Sequence, residues 1–188
     1  MEGSEKFASL SVLVVEDSEH MMRLLKAMLR AFGIGYIDSA TDAKQALQIM
    51  RVRVPDILIV DWMMEGMTGI ELTKHIRLSD ASPNPFMPIL MVTAHAEKEL
   101  VIEARDAGVT EFLVKPIAAA ALAQRLSTIL DQPRPFVRTA AYFGPDRRRQ
   151  DLPFNGSERR TANTHVLTPE ETDRYIEESR SKHGNDAA

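Results

Sequence analysis

Four short apolar runs in this 188-residue chain each end on a charged or hydroxyl residue. Leu10–Val15 runs into Glu16 and Asp17, Ile57–Val60 into Asp61, Ile89–Val92 into Thr93, and Phe112–Val114 into Lys115 and Pro116. Runs this short and rich in β-branched residues read as strands. The run before Asp61 shows no polar alternation, the pattern of a strand covered on both faces. Stretches with helical spacing separate the runs, and alternating strands and helices of this length imply a parallel sheet with helices on both sides. The strands' carboxyl ends then share one edge, where open α/β sheets place their sites.

That edge carries three acids, a hydroxyl and an ammonium. Three carboxylates in proximity repel one another unless a hard cation lies between them. An oxygen-rich pocket in a chain without cysteine suits Mg²⁺, and so few protein ligands leave room for water and phosphate, which favours Mg²⁺ over Ca²⁺. A neighbouring Lys and Thr would neutralise and hydrogen-bond an incoming phosphoryl group. Their chemistry suits phosphoryl transfer to a carboxylate.

The helical stretches are legible in the same way. Met21, Leu24, Leu25, Met28, Leu29 and Phe32 recur at helical spacing after a cap at Asp17 or Ser18, and Gly33 stops the helix. Tyr36–Ser39 reads as a strand, and residues 43–51 as a helix with Ala46, Leu47 and Met50 inward. A loop holding Gly66 and Gly69 leads to a helix with Ile70, Leu72, Thr73 and Ile76. The loop Ser82–Phe86, with two prolines, is followed by strand 87–93, helix 100–107, strand 111–115 and helix 117–130. Helix 100–107 has a thin apolar face of Val101, Ile102 and Ala104 and is expected to be the least firmly packed.

From about Leu10 to Leu130 the chain resembles the receiver domain of two-component response regulators. The resemblance is carried by Val-Val-Glu16-Asp17, by Asp61-Trp-Met-Met-Glu-Gly-Met-Thr-Gly69, by Val-Thr93-Ala94 and by Val-Lys115-Pro116. Each piece alone is weak, but all four in order at strand ends form a specific signal. The resemblance implies a doubly wound α/β fold with a five-stranded parallel sheet in the order 2-1-3-4-5, flavodoxin-like, over residues 8–131. It implies Asp61 as the nucleophile toward a phosphohistidine donor. Asp17, Asp61 and the backbone carbonyl of Met63 would hold Mg²⁺ directly, with Glu16 reaching it through water. Lys115 would pair first with Asp61 and then with a phosphoryl oxygen, and Thr93 would hydrogen-bond the phosphoryl group. The expected peptide bond between Lys115 and Pro116 is cis. Such a protein switches a surface rather than turning over a substrate, so no enzyme activity is expected beyond its own phosphorylation and dephosphorylation.

Some positions depart from the usual receiver pattern. Glu65 stands where receivers commonly have Pro and is expected to face solvent. Phe112 stands where many carry a switch Tyr; a mobile ring and an ordinary core Phe are both compatible with the sequence. Met63 could shield the phosphoryl group from water, and His95 could orient that water.

Residues 132–188 form an extension in which no winged helix, helix-turn-helix, ATPase or cyclase motif is recognisable. Charge is distributed unevenly, with net −5 over residues 1–131, +4 over 132–160 and −3 over 161–188, within an overall −4. Tyr142-Phe-Gly-Pro-Asp-Arg147-Arg and Pro153-Phe-Asn-Gly-Ser-Glu158-Arg-Arg share an aromatic, a Gly turn, an acid and paired Arg. The basic, aromatic arm is expected to lie extended against the receiver or a second protomer; over helix 117–130 it would compete with partners. Thr168-Pro-Glu-Glu171 is a capping box opening a charged helix near 168–182. The remaining extension, without strong apolar periodicity, is expected to be irregular surface chain.

The implied partners are a histidine kinase or histidine phosphotransfer protein, a downstream protein and a second copy in a homodimer. The alternative is a nucleic-acid-binding regulator using Arg147–Arg149, Arg159 and Arg160 with Tyr142, Phe143 and Phe154. Overall acidity, and acids beside each Arg cluster, argue against it. No apolar run approaches a membrane span, and the start of the chain is polar and acidic, unlike a signal peptide. With the absence of cysteine, these features point to a cytoplasmic protein.

Overall fold

A computed structural model of the chain describes residues 7–94, 97–147, 165–168, 170–172 and 174. The strands β1 (Ser11–Val15), β2 (Tyr36–Ala40), β3 (Ile57–Asp61), β4 (Ile89–Thr93) and β5 (Glu111–Val114) alternate with helices α1 (Glu19–Ala31), α2 (Ala43–Val52), α3 (Gly69–Leu78), α4 (Lys98–Ala107) and α5 (Ala119–Asp131). The five strands form one parallel sheet in the order 2-1-3-4-5, as expected.

Successive residues of a strand point to opposite faces, and this period divides the core in two. Leu13, Val15, Leu58, Val60, Ile89 and Met91 pack under α2, α3 and α4, against Ala46, Met50, Leu72, Ile76 and Ala104. Val12, Val14, Ile57, Ile59, Leu90 and Val92 pack under α1 and α5, against Leu25, Leu29, Leu122 and Leu126. All residues of β3 and β4 are buried, which explains their unbroken apolar runs.

Local chemistry sets the helix boundaries. Ser18, rather than Asp17, caps α1 by accepting from the Met21 N–H, leaving the Asp17 carboxylate available to the strand ends. Thr68 and Glu71 form a reciprocal capping box at α3. Gly108 ends α4 with φ +96, a conformation that favours glycine. As anticipated, α4 is thinly packed: Ala104 and Ala107 are its buried residues, while Val101 and Ile102 are exposed.

The arm expected to lie extended contributes two strands, and the segment beyond it, expected to be irregular, contributes a third, to a second, small antiparallel sheet. Strands β6 (Phe136–Arg138), β7 (Phe143–Pro145) and β8 (His165–Val166) pair in the order 7-6-8. Strands of two or three residues are too short to show a period, so sequence spacing could not reveal them. Phe136 and Phe143 pack on Phe86, with centroid distances of 5.0 and 5.1 Å, and Leu167 completes the cluster.

The described part of the arm therefore lies on the receiver, at the ends of α3 and α4 and on the loop before β4. Arg77 of α3, buried, donates from Nε to Gly108 O at 3.0 Å and from Nη1 to Pro85 O at 2.7 Å. Its guanidinium faces the Phe136 ring at 5.2 Å. The first aromatic-Gly-Arg element docks as expected; the second, with Phe154, Arg159 and Arg160, lies outside the described residues, as do Arg148 and Arg149. The capping box at Thr168 and Glu171 forms, and the helix it opens is described only at residues 170–172 and 174.

Candidate functional site

β1 and β3 are adjacent, with Val15 opposite Val60, so the residues that follow them emerge side by side. Glu16, Asp17 and Asp61 each present a carboxylate oxygen, and these oxygens all lie within 4.8 Å of one another. On the other side of β3, Asp61 is opposite Val92, and Thr93 is opposite Val114. The four strand-end motifs thus converge on one edge.

Lys115 links them. Its Nζ lies 2.8 Å from Asp61 Oδ1 and 3.0 Å from Glu16 Oε2. Its N–H donates to Thr93 O at 2.7 Å, which ties the turn to β4. The Lys115–Pro116 bond is cis, as expected. Behind Asp61, the backbone N–H of Gly69 donates to Trp62 O at 2.9 Å. A Cβ at Gly69 would collide with the Asp61 carbonyl oxygen, so the start of α3 can close over the strand end only with glycine there.

Burial is graded across the cluster. Glu16 and Thr93 are each 1% exposed and Asp61 is 6% exposed, whereas Asp17 is exposed. Met63 is 59% exposed, and Glu65 faces solvent as anticipated. Phe112 is half-buried, edge-on to Trp62 at 6.5 Å. His95 lies outside the described residues.

Electrostatics follows from one cation among three acids. Burial pushes the Asp61 carboxyl above its ordinary range; the Lys115 hydrogen bond and charge oppose this, and Asp17 adds to it. Burial likewise raises Glu16, against the Lys115 hydrogen bond, with the Asp61 charge adding to the rise. For Lys115, burial works against the charge, but Asp61 and Glu16 more than offset it and hold the ammonium above its ordinary range. These directions agree physically: the single ammonium is over-stabilised while the carboxylates in excess are under-compensated. The site suits a further cation and an incoming phosphoryl group, and the all-oxygen donor set fits Mg²⁺.

Sequence reasoning identified every member of this cluster but not the Glu16–Lys115 pair, which joins residues 99 positions apart. It also missed Arg77 as the anchor of the arm. Its position four residues after Thr73 and seven after Ile70 puts it on the buried stripe of α3.

Comparison with known proteins agrees with this geometry. The family model of the response regulator receiver domain matches residues 12–127. Chemotaxis protein CheY-3 of Vibrio cholerae is 37% identical over 124 residues, spanning 66% of this chain and 94% of that protein. Chemotaxis protein CheY of Pseudomonas aeruginosa is 36% identical over 123 residues, 65% of this chain and 98% of that protein. Among solved structures, Vibrio cholerae CheY4 superposes with a TM-score of 0.60 at 31% identity, covering 65% of this chain and 99% of that one. The receiver domain of the histidine kinase CKI1 from Arabidopsis thaliana, solved with Mg²⁺ and BeF₃⁻, gives a TM-score of 0.61 at 25% identity, covering 70% and 96%. With its strand order, its convergent acids and its Lys-Pro turn, this chain belongs to the response regulator receiver domain family of two-component signalling.

Proposed function

We propose that the protein accepts a phosphoryl group on Asp61 from a phosphohistidine donor, a histidine kinase or histidine phosphotransfer protein, and thereby switches a protein-interaction surface. The observation that carries this reading is the environment of Asp61. It ends the central strand, is nearly buried, pairs with Lys115 at 2.8 Å and shares its pocket with two further carboxylates. In the transfer, an Asp61 carboxylate oxygen bonds to phosphorus as the phosphorus–nitrogen bond breaks, and the imidazole leaves with the electron pair. Lys115 moves from the carboxylate to a phosphoryl oxygen, and the Thr93 hydroxyl donates to another.

Asp17, Asp61 and the Met63 carbonyl would hold Mg²⁺ directly, with Glu16 acting through water. When bound, the ion supplies positive charge that offsets the acids and the phosphoryl oxygens. The Mg²⁺ and BeF₃⁻ in the CKI1 receiver structure support this assignment by family likeness. The interaction surface is that of α4, β5 and α5, open to a downstream protein or to a second copy. Exposed Val101, Ile102 and Val114 lie there, and small residues 118–121 flatten the start of α5. We read the protein as a signalling module and not as a turnover enzyme, with an extension at residues 132–188 that carries no recognisable output-domain motif, and as cytoplasmic. Among the described residues, no helix is long and apolar enough to cross a membrane.

Incubation with Mg²⁺ and a small phosphodonor tests the reading. One acid-stable, base-labile phosphoryl group is expected on the wild-type chain and none on Asp61→Asn. Equal labelling of the Asn variant would refute Asp61 as acceptor.

A further inference from the structure

The elements that carry the reactive side chains run the height of the domain, and the arm grips their far ends. β4, which ends at Thr93, starts after Pro85 and Phe86; β5, which leads to Lys115, starts after Gly108 and Thr110. Arg134 of the arm donates to Thr110 O at 3.3 Å. Phe136 and Phe143 cover Phe86. At the end of α4, Arg147 stacks on the Tyr142 ring at 3.9 Å and bridges to Asp106 at 3.4 Å. The fit is close there, since a Cβ on Gly144 would lie 3.1 Å from Gly108 Cα and 2.6 Å from the Tyr142 hydroxyl.

These contacts bear on the least firmly held helix of the receiver. α4 buries little beyond Ala104 and Ala107, so its position responds to small external biases. In the arrangement described here Lys115 pairs with Asp61 itself, as expected before phosphoryl transfer. We propose that the arm, residues 134–147, is an autoinhibitory strap. It holds the far ends of α4 and β5 in this resting arrangement and thereby opposes loading of Asp61. The inference rests on Asp61 being the phosphoryl acceptor. Coupling of this kind is reciprocal: if the docked arm disfavours the loaded site, loading must weaken arm docking by the same factor.

The test uses the full chain with Mg²⁺ and beryllofluoride as the phosphoryl analogue, read by the fluorescence of the single tryptophan, Trp62, next to Asp61. Arg147→Ala removes a half-exposed bridge and a ring stack, so beryllofluoride should bind about two- to five-fold more tightly. Phe143→Ala, which opens the aromatic cluster, should have a larger effect in the same direction. Hydrogen exchange of segment 136–145 should accelerate in the wild type when beryllofluoride is added. The strap is refuted if either variant shows faster exchange in that segment with unchanged or weaker beryllofluoride affinity. It is refuted equally if beryllofluoride leaves exchange of 136–145 in the wild type unchanged. If Phe143→Ala unfolds, the surface variant Arg147→Ala decides alone. Failure of the underlying reading looks different, because the wild type and Asp61→Asn would then respond to beryllofluoride identically.

Discussion

Lys115 and Glu16 are joined at 3.0 Å in the interior of the site, although 98 residues separate them in the chain. The ammonium also serves Asp61 at 2.8 Å, so a single cation answers two buried carboxylates while Asp17 stands exposed beside them. Such a cluster is an electrostatic cost to the fold, retained because it is also the means of holding a cation and a phosphoryl group.

Removing a carboxylate should therefore stabilise the fold. Asp61 and Glu16 hold their protons more tightly in the folded chain than in the unfolded one. Stability from this source is fully present below the ordinary carboxylate range, about pH 4, and is lost as pH rises through the raised folded values. At pH 7.5 with chelator, Asp61→Asn is expected to gain about 1 kcal/mol and to melt a few degrees higher. The advantage should shrink as pH falls toward 4.5. Thermal melts of both proteins across this range check it; an Asn variant less stable at pH 7.5 would contradict the electrostatic account.

Adding Mg²⁺ should reverse the ranking by mass action. The wild type should gain melting temperature and change its Trp62 fluorescence as the ion is titrated. Asp17→Asn should lose at least about ten-fold in apparent affinity, since it removes a charged ligand. An unaltered Mg²⁺ titration in Asp17→Asn would rule out its direct role.

Lys115→Ala is expected to leave Asp61 and Glu16 buried without their cation. The fold should lose about 2–3 kcal/mol at neutral pH, with much of the loss recovered by acidification, as the carboxyls protonate. Phosphoryl labelling should fall by at least about 100-fold, since a positioned charge on the transferring group is lost. Denaturant midpoints at pH 7.5 and 5, with labelling rates, measure both effects.

At α3 two substitutions should separate capping from crowding. Thr68→Ala breaks the capping box and should cost about 1 kcal/mol with little change in phosphorylation. Gly69→Ala forces a Cβ onto the Asp61 carbonyl and should impair both stability, by at least about 2 kcal/mol, and Mg²⁺-dependent labelling. If Gly69→Ala labels as well as Thr68→Ala, the closure of α3 over the strand end does not position Asp61.

The sequence by itself determined the receiver's architecture and the membership of its site. β3 and β4 are buried on both faces, so they leave unbroken apolar runs, and the residues that end them must emerge at one edge of a parallel sheet. Helices as long as α1 and α5 repeat their apolar spacing over several turns, which makes them legible without any tertiary information. The role of Ser18 over Asp17 as cap, and the sharing of Lys115 between Asp61 and Glu16, were decided only in three dimensions. Both depend on where a side chain finds its partner once distant strand ends are adjacent. The arm was decided there too: β6, β7 and β8 are too short to carry a period, and each acquires its strand conformation by pairing across gaps in the chain. Arg77 is the clearest case, a charged residue on the buried stripe of α3. Only when the carbonyls of Pro85 and Gly108 and the ring of Phe136 surround it does burying that cation become tolerable.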